Sequence, residues 1–138
     1  MVVSRQIQVS TRGNGDAVDI TQLVAKQVQD SGIRSGIATL FAAGSTYALT
    51  TMEFESGVVH DLRHLLDELA PPGADYRHNL RWGDGNGHAH VRHALMGASL
   101  TIPFVDGRLT LGTWQQVVLL DFDNRPRSRS VIVQVLGE

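Results

Sequence analysis

The chain has 138 residues, a formal charge of -2 from 12 Lys+Arg against 14 Asp+Glu, and no cysteine. That length suits one domain hiding roughly 70% of its extended surface, and the charge balance leaves no basic excess for a phosphate backbone, which excludes nucleic acid as a general partner. Without thiols there are neither disulfides nor thiolate ligands, so any metal must rest on imidazole, carboxylate, amide or water.

In chain order, Val3, Ile7 and Val9 share one parity, as a half-buried strand requires, and Gly13-Asn14-Gly15 supplies a turn tolerant of positive φ. The opening residues are too polar for a signal-peptide core, so the expected location is cytoplasmic. Asp19 or Thr21 caps a first helix carrying Leu23, Val24 and Val28, with Gly32 at its left-handed end. Residues 36–42 read as a buried strand and 46–55 as a second one, joined at Gly44-Ser45 in an expected hairpin. Ser56 is the expected cap of a second helix whose Val58, Leu62, Leu65, Leu66 and Leu69 share one face before Pro71-Pro72 stop it.

A short helix is predicted from near His88 to Gly97, capped by Asn86, with Val91, Ala94 and Leu95 toward the core and His93 on the surface. Leu100, Ile102 and Phe104, then Asp106-Gly107, then Leu109 and Leu111 form a hairpin pattern in which Pro103 marks an edge or bulge. Residues 114–122 and 131–136 are strongly β-forming, which makes the C-terminal third an expected meander. The longest apolar run, residues 117–120, falls far short of the roughly 20 residues needed to cross a bilayer. These elements describe one α+β domain over residues 1–138.

Several polar groups invite chemistry and are outweighed by plainer readings. His60 and His64 stand four apart but lie roughly 160° from the apolar face of their helix, so they read as solvated. Ser45 lacks the flanking pattern of a nucleophile elbow. Arg125, Arg127 and Arg129 are suited to gripping an anion, against which stands the commoner role of a charged turn tip. The stretch 76–93 differs in kind. Within residues 76–90 it carries three imidazoles (His78, His88, His90), one carboxylate (Asp84), two amides (Asn79, Asn86) and three glycines that allow a tight fold. Spacing alone leaves a metal or catalytic site and a structural hydrogen-bonded cluster equally open.

The runs Gly83-Asp84-Gly85-Asn86-Gly87-His88-Ala89-His90-Val91, residues 95–103 and residues 107–115, with Thr51-Met52-Glu53 and residues 76–78, resemble the YjbQ-like family. The resemblance covers nearly the whole chain after the first helix. It implies a β-sandwich of about seven strands with two or three flanking helices, assembled as a homotrimer, and a link to thiamine-phosphate synthase activity. Its implied functional positions fall on Glu53, His78, Asn86, His90, Trp114 and Gln115. Many relatives carry His-Thr-Thr where this chain has Gly44-Ser45-Thr46, and the expectation is that His88 replaces the missing imidazole.

Two functions follow as expectations. In the first, His78, His88 and His90 hold a divalent ion, zinc or alternatively magnesium, with Glu53 and His90 as catalytic residues, Glu53 as general base or fourth ligand, and Asp84 and Asn86 as outer partners. Arg108 and Arg81, with Trp114 and Gln115, then bind a small phosphorylated or anionic ligand. In the second, a trimeric module binds a metal ion or small anion without turnover.

Overall fold

An apolar run without alternation needs cover on both faces, and Val117, Val118, Leu119 and Leu120 are all buried. The computed structural model describes residues 1–138 and shows how that cover arises. Its elements are β1 (Val2–Thr11), β2 (Asp16–Asp19), α1 (Thr21–Asp30), β3 (Gly36–Ala42), β4 (Tyr47–Met52), α2 (Ser56–Leu69), α3 (Arg77–Trp82), α4 (Gly87–Met96), β5 (Ser99–Val105), β6 (Arg108–Leu109), β7 (Gln116–Asp121) and β8 (Arg127–Gly137). The strands form an antiparallel five-stranded sheet, β1-β8-β3-β5-β6, and an antiparallel three-stranded sheet, β2-β7-β4.

Val117 and Leu119 join Ile7, Leu40, Val133 and Phe104 in the core between the sheets, while Val118 and Leu120 join Leu66 of α2 and Ala89 of α4 on the other face. The small sheet is therefore the middle layer, with the large sheet on one side and helices on the other. Val24 and Val28 of α1 also reach the inter-sheet core. The outer face of the large sheet is polar, with Gln6, Gln8 and Ser130 hydrogen-bonded side chain to side chain. No helix is long and apolar enough to cross a membrane.

The α+β sandwich agrees with expectation, and β2 and α3 are additions to the elements read from the sequence. Neighbouring strands do not pair as expected. β3 and β4 lie in different sheets, and so do β7 and β8, so neither the hairpin at Gly44-Ser45 nor the meander forms. Only β5 and β6 make a hairpin, turning through Asp106 and Gly107, both at positive φ. Pro103 fits the edge reading, because β6 is two residues long and leaves most of β5 uncovered.

Helix caps and faces also depart from the sequence reading. Glu55, not Ser56, caps α2, its carboxylate accepting from the amides of Gly57 and Val58. On α2 only Leu66 is buried, while Leu65 and Leu69 are exposed. On α4 the expected face is reversed: Val91 and Leu95 are exposed, and Gly87, His88, Ala89 and Arg92 are buried. Arg92 explains the reversal. Its Nε donates to the Ala70 carbonyl at 3.0 Å, its Nη2 meets Asp67 at 3.0 Å, and its guanidinium lies 5.7 Å from the Phe122 ring centre. Each buried polar end is thus paired, and the aliphatic stem covers apolar surface.

Three of the crossings between sheets, β1 to β2, β3 to β4 and β7 to β8, meet at one ion cluster. Arg129 donates to both oxygens of the buried Asp121, at 2.6 and 2.9 Å, and to Thr46 at 2.6 Å, and stacks 4.5 Å from the Tyr47 ring centre. Asp123 pairs with Arg127 at 3.2 Å and accepts from Thr46 at 3.1 Å. Thr11 bonds Asp121 at 2.5 Å. The backbone carbonyls of Asp123 and Asp121 receive the amides of Asn14 and Gly15, each at 2.7 Å. Residues 13–15 all have positive φ, and a side chain on Gly13 would strike the backbone carbonyls of Arg125 and Asp123, so glycine is required there. Arg127 and Arg129 are thus more than a charged turn tip, while Arg125 stays exposed at the turn.

Removing one member of a buried ion pair strands its partner's charge. Arg129→Ala is expected to lower unfolding free energy by about 3–5 kcal/mol, read as a lower denaturant midpoint with unchanged slope. Burial alone would raise the Asp123 carboxyl, but hydrogen bonds from Thr46 and Arg127 outweigh it and hold the group below the usual carboxylate range. Its stabilisation is therefore full above the ordinary carboxylate range and disappears as pH falls through the depressed value. The same titration read below pH 5 should show this loss.

Candidate metal centre

Tyr76 precedes α3, whose first turn carries His78. Gly83, at φ 67°, ends that helix, and Gly85, at φ 70°, turns the chain back toward α4. Between them sits Asp84, and His90 stands in the first turn of α4. The two helices are locked together by Asn79, whose Oδ1 accepts from the Gly87 amide at 2.9 Å. A Cβ at Gly87 would lie 2.5 Å from that of Tyr76, so only glycine allows this approach of the helices.

The result is a convergence of His78, Asp84 and His90, whose donor atoms all lie within 4.8 Å of one another. The imidazole centres of His78 and His90 are 4.4 Å apart and tilted by 50°. His78 Nε2 lies 3.1 Å from the Asp84 carboxylate. The Asn86 amide donates to Asp84 Oδ1 at 3.1 Å; that bond, followed by the one from His78, holds the Asp84 carboxyl below its ordinary value. The carboxylate is therefore ionised and aimed at neutral pH. His78 and His90 are half-buried and Asp84 is open to solvent. Two imidazole nitrogens and a carboxylate, with one side accessible, fit a borderline-soft divalent ion such as zinc.

Asn86 is buried but does not cap α4 with its side chain. Its Oδ1 instead accepts from the Asn124 amide at 3.0 Å, while Asn124 Nδ2 donates to the Asp84 carbonyl at 2.8 Å. This ties the ligand loop to the β7–β8 connection. Asn79 and Asn124 carry no signal in the sequence beyond their type, since their partners lie 8 and 38–40 residues away.

His88 does not join the cluster. Residues two apart on a helix point to different sides, and His88 goes inward with Arg92, only 4% exposed and with Nδ1 lacking a partner. Burial, and then the charge of Arg92, push its imidazole below the ordinary value, so it is a neutral core group rather than the substitute ligand expected opposite Gly44. Asp84, expected as an outer partner, takes its place. His93 is also not a free surface residue: its Nδ1 donates to the Tyr47 carbonyl at 2.6 Å. His60 and His64 are exposed, as expected.

The remaining candidates stand outside the convergent group. Glu53 is exposed just beyond β4 and Arg81 is exposed on α3. Arg108 lines a cavity with Arg34 and Asp106. Trp114 is 74% exposed. Gln115 braces its own loop, accepting from the Gly112 amide at 3.0 Å and donating to Thr51 at 3.1 Å.

A family profile described as "UPF0047 protein YjbQ-like" matches residues 5–138. The chain belongs to the YjbQ-like UPF0047 family. A UPF0047 protein of Methanothermobacter thermautotrophicus is 35% identical, over 99% of this chain and 94% of that relative. The UPF0047 protein YugU of Bacillus subtilis is 33% identical, over 96% and 98%. Among solved structures, a YbjQ-like protein of unknown function from Sulfolobus solfataricus superposes with a TM-score of 0.94 at 37% identity, covering 100% of this chain and 99% of that one. The YjbQ-like sandwich is therefore shared along the whole chain.

His88→Leu discriminates the buried histidine from a ligand. In the wild type, a lowered imidazole means that the unfolded chain takes up its proton first, so stability is full above about pH 6.5 and declines as pH falls from there toward the depressed value. The variant is expected to lose that part of the pH dependence in thermal melts between pH 7.5 and 5.5, while zinc affinity by calorimetry stays within about twofold.

Proposed function

We propose that this YjbQ-like domain is a metal-dependent enzyme that holds a divalent ion, zinc, at His78, Asp84 and His90 and acts on a small phosphorylated or anionic substrate. The observation that carries the reading is the three-donor convergence within 4.8 Å, built from two helices and the loop between them. Magnesium is less well matched, since it favours oxygen ligands. A zinc ion there would supply Lewis acidity at neutral pH.

The chain's own part is to fix the donors. Asn86 N–H aims Asp84, and the Asn79–Gly87 bond fixes the spacing of the histidine-bearing helices. Glu53 is the group proposed to move protons, His90 acts through the ion it holds, and Arg81, Arg108, Trp114 and Gln115 are those proposed to meet substrate. Leu65, Leu69, Leu80, Trp82, Val91 and Leu95 are exposed apolar side chains of the helical layer; their cover in a homotrimer is part of the same proposal. The particular reaction put forward is formation of thiamine phosphate, in which the thiazole phosphate's ring nitrogen bonds to the pyrimidine's methylene carbon and pyrophosphate leaves.

Protein purified without a histidine tag is expected to carry close to one zinc per chain by elemental analysis. His78→Ala and His90→Ala should reduce this at least tenfold, and Glu53→Ala should leave it unchanged. Thiamine phosphate formation should be lost in both His90→Ala and Glu53→Ala. Metal-free wild-type protein that takes up no zinc overturns the reading; folded, zinc-loaded protein without turnover reduces it to a binding module.

A further inference from the structure

A cavity of ≈ 300 Å³ shares Asp84 with the candidate metal centre and is lined by Asp84, Asn86, Asn124, Arg125 and Arg127. That volume is at the lower end for small-molecule sites, and no lining residue is hydrophobic. An apolar ligand has nothing to meet there.

The formal charges around it sum to zero, three arginines (Arg125, Arg127, Arg129) against three carboxylates (Asp84, Asp121, Asp123), but they are not all paired with one another. Asp121 and Asp123 are buried and are matched by Arg129 and Arg127. Arg125 forms no ion pair or side-chain hydrogen bond within the chain and is exposed at the turn. Arg127 uses only its Nη2 on Asp123, and its Nε has no partner. Asp84, the one carboxylate in the wall, is also a member of the convergent donor set. The wall itself is fixed, because Asn124 is bonded to both Asp84 and Asn86.

We propose that this cavity is an anion subsite in which Arg125 and Arg127 grip a phosphoryl group of the substrate. Guanidinium forks match phosphate oxygens geometrically and remain charged at every working pH. The assignment rests on the metal-centre reading in one respect, that the far side of the bound group faces the ion at Asp84; the arginine pair stands apart from it. It adds to the contacts proposed for Arg81 and Arg108 a second anion grip at the β7–β8 connection, which the Asn86–Asn124 bond joins to the loop bearing Asp84.

Calorimetric titration with inorganic phosphate, on tag-free protein before and after zinc loading, tests it. Wild type is expected to bind. Arg125→Gln should weaken binding at least tenfold with zinc content and melting temperature unchanged, and Arg5→Gln, which removes an equal charge from the distant strand β1, should have no effect. Arg127→Lys keeps a cation beside Asp123 while removing the fork, and should also weaken phosphate in a protein that still folds. Wild type that binds no phosphate in either state, or Arg125→Gln that binds as tightly as wild type, overturns the subsite. Failure to take up zinc would count against the metal centre alone, since the zinc-free titration still decides the arginines.

Discussion

The charged cluster of Asp121, Asp123, Arg127 and Arg129 sits where the chain leaves the small sheet for the large one, and the rest of the molecule depends on it. Four ionised groups at a crossing between layers are tolerable only because each finds an opposite charge or a hydroxyl. Thr11 and Thr46 supply those hydroxyls from the ends of β1 and the start of β4. The same few residues receive the amides of Asn14 and Gly15, so the β1–β2 and β7–β8 passages between sheets are fastened at one place. One step further along, Asn124 holds the loop that bears Asp84. The donor set is thus anchored to a rigid part of the sandwich rather than carried on a free loop.

Burial on both faces gives the small sheet a second role. Val118 and Leu120 form the floor on which α2 and α4 rest, and α4 is oriented by Arg92 rather than by its apolar residues. Turning His88 and Arg92 inward places His90 on a different side of the helix, toward His78. An apolar-side-in arrangement would have rotated His90 away from α3. The position of the imidazole pair is therefore a consequence of where a buried arginine finds its carbonyl and carboxylate partners.

The candidate metal centre and the arginine-lined cavity share Asp84, which the Asn86 amide positions. A positive ion on one side of Asp84 and guanidinium groups on the other would suit a ligand that carries its charge at one end. The exposed apolar residues of α2, α3 and α4 belong to the same layer, which is where the proposed trimer would bury surface.

The sequence alone determined what depends on local backbone preference and residue chemistry. Alternation located β1, continuous apolar character located β7, proline stopped α2, and clustered histidines with glycines located the site between residues 76 and 93. Family resemblance added the sandwich. Tertiary structure decided everything that depends on partners distant along the chain: which strands pair, which face of α4 turns inward, and which of three histidines converge. The physical reason is that an apolar residue can be left at the surface at modest cost, whereas a buried arginine or aspartate must meet particular opposite groups. Arg92, Arg129 and Asp121 satisfied that demand through contacts that no local pattern encodes, and they set His88 inward and His90 toward Asp84.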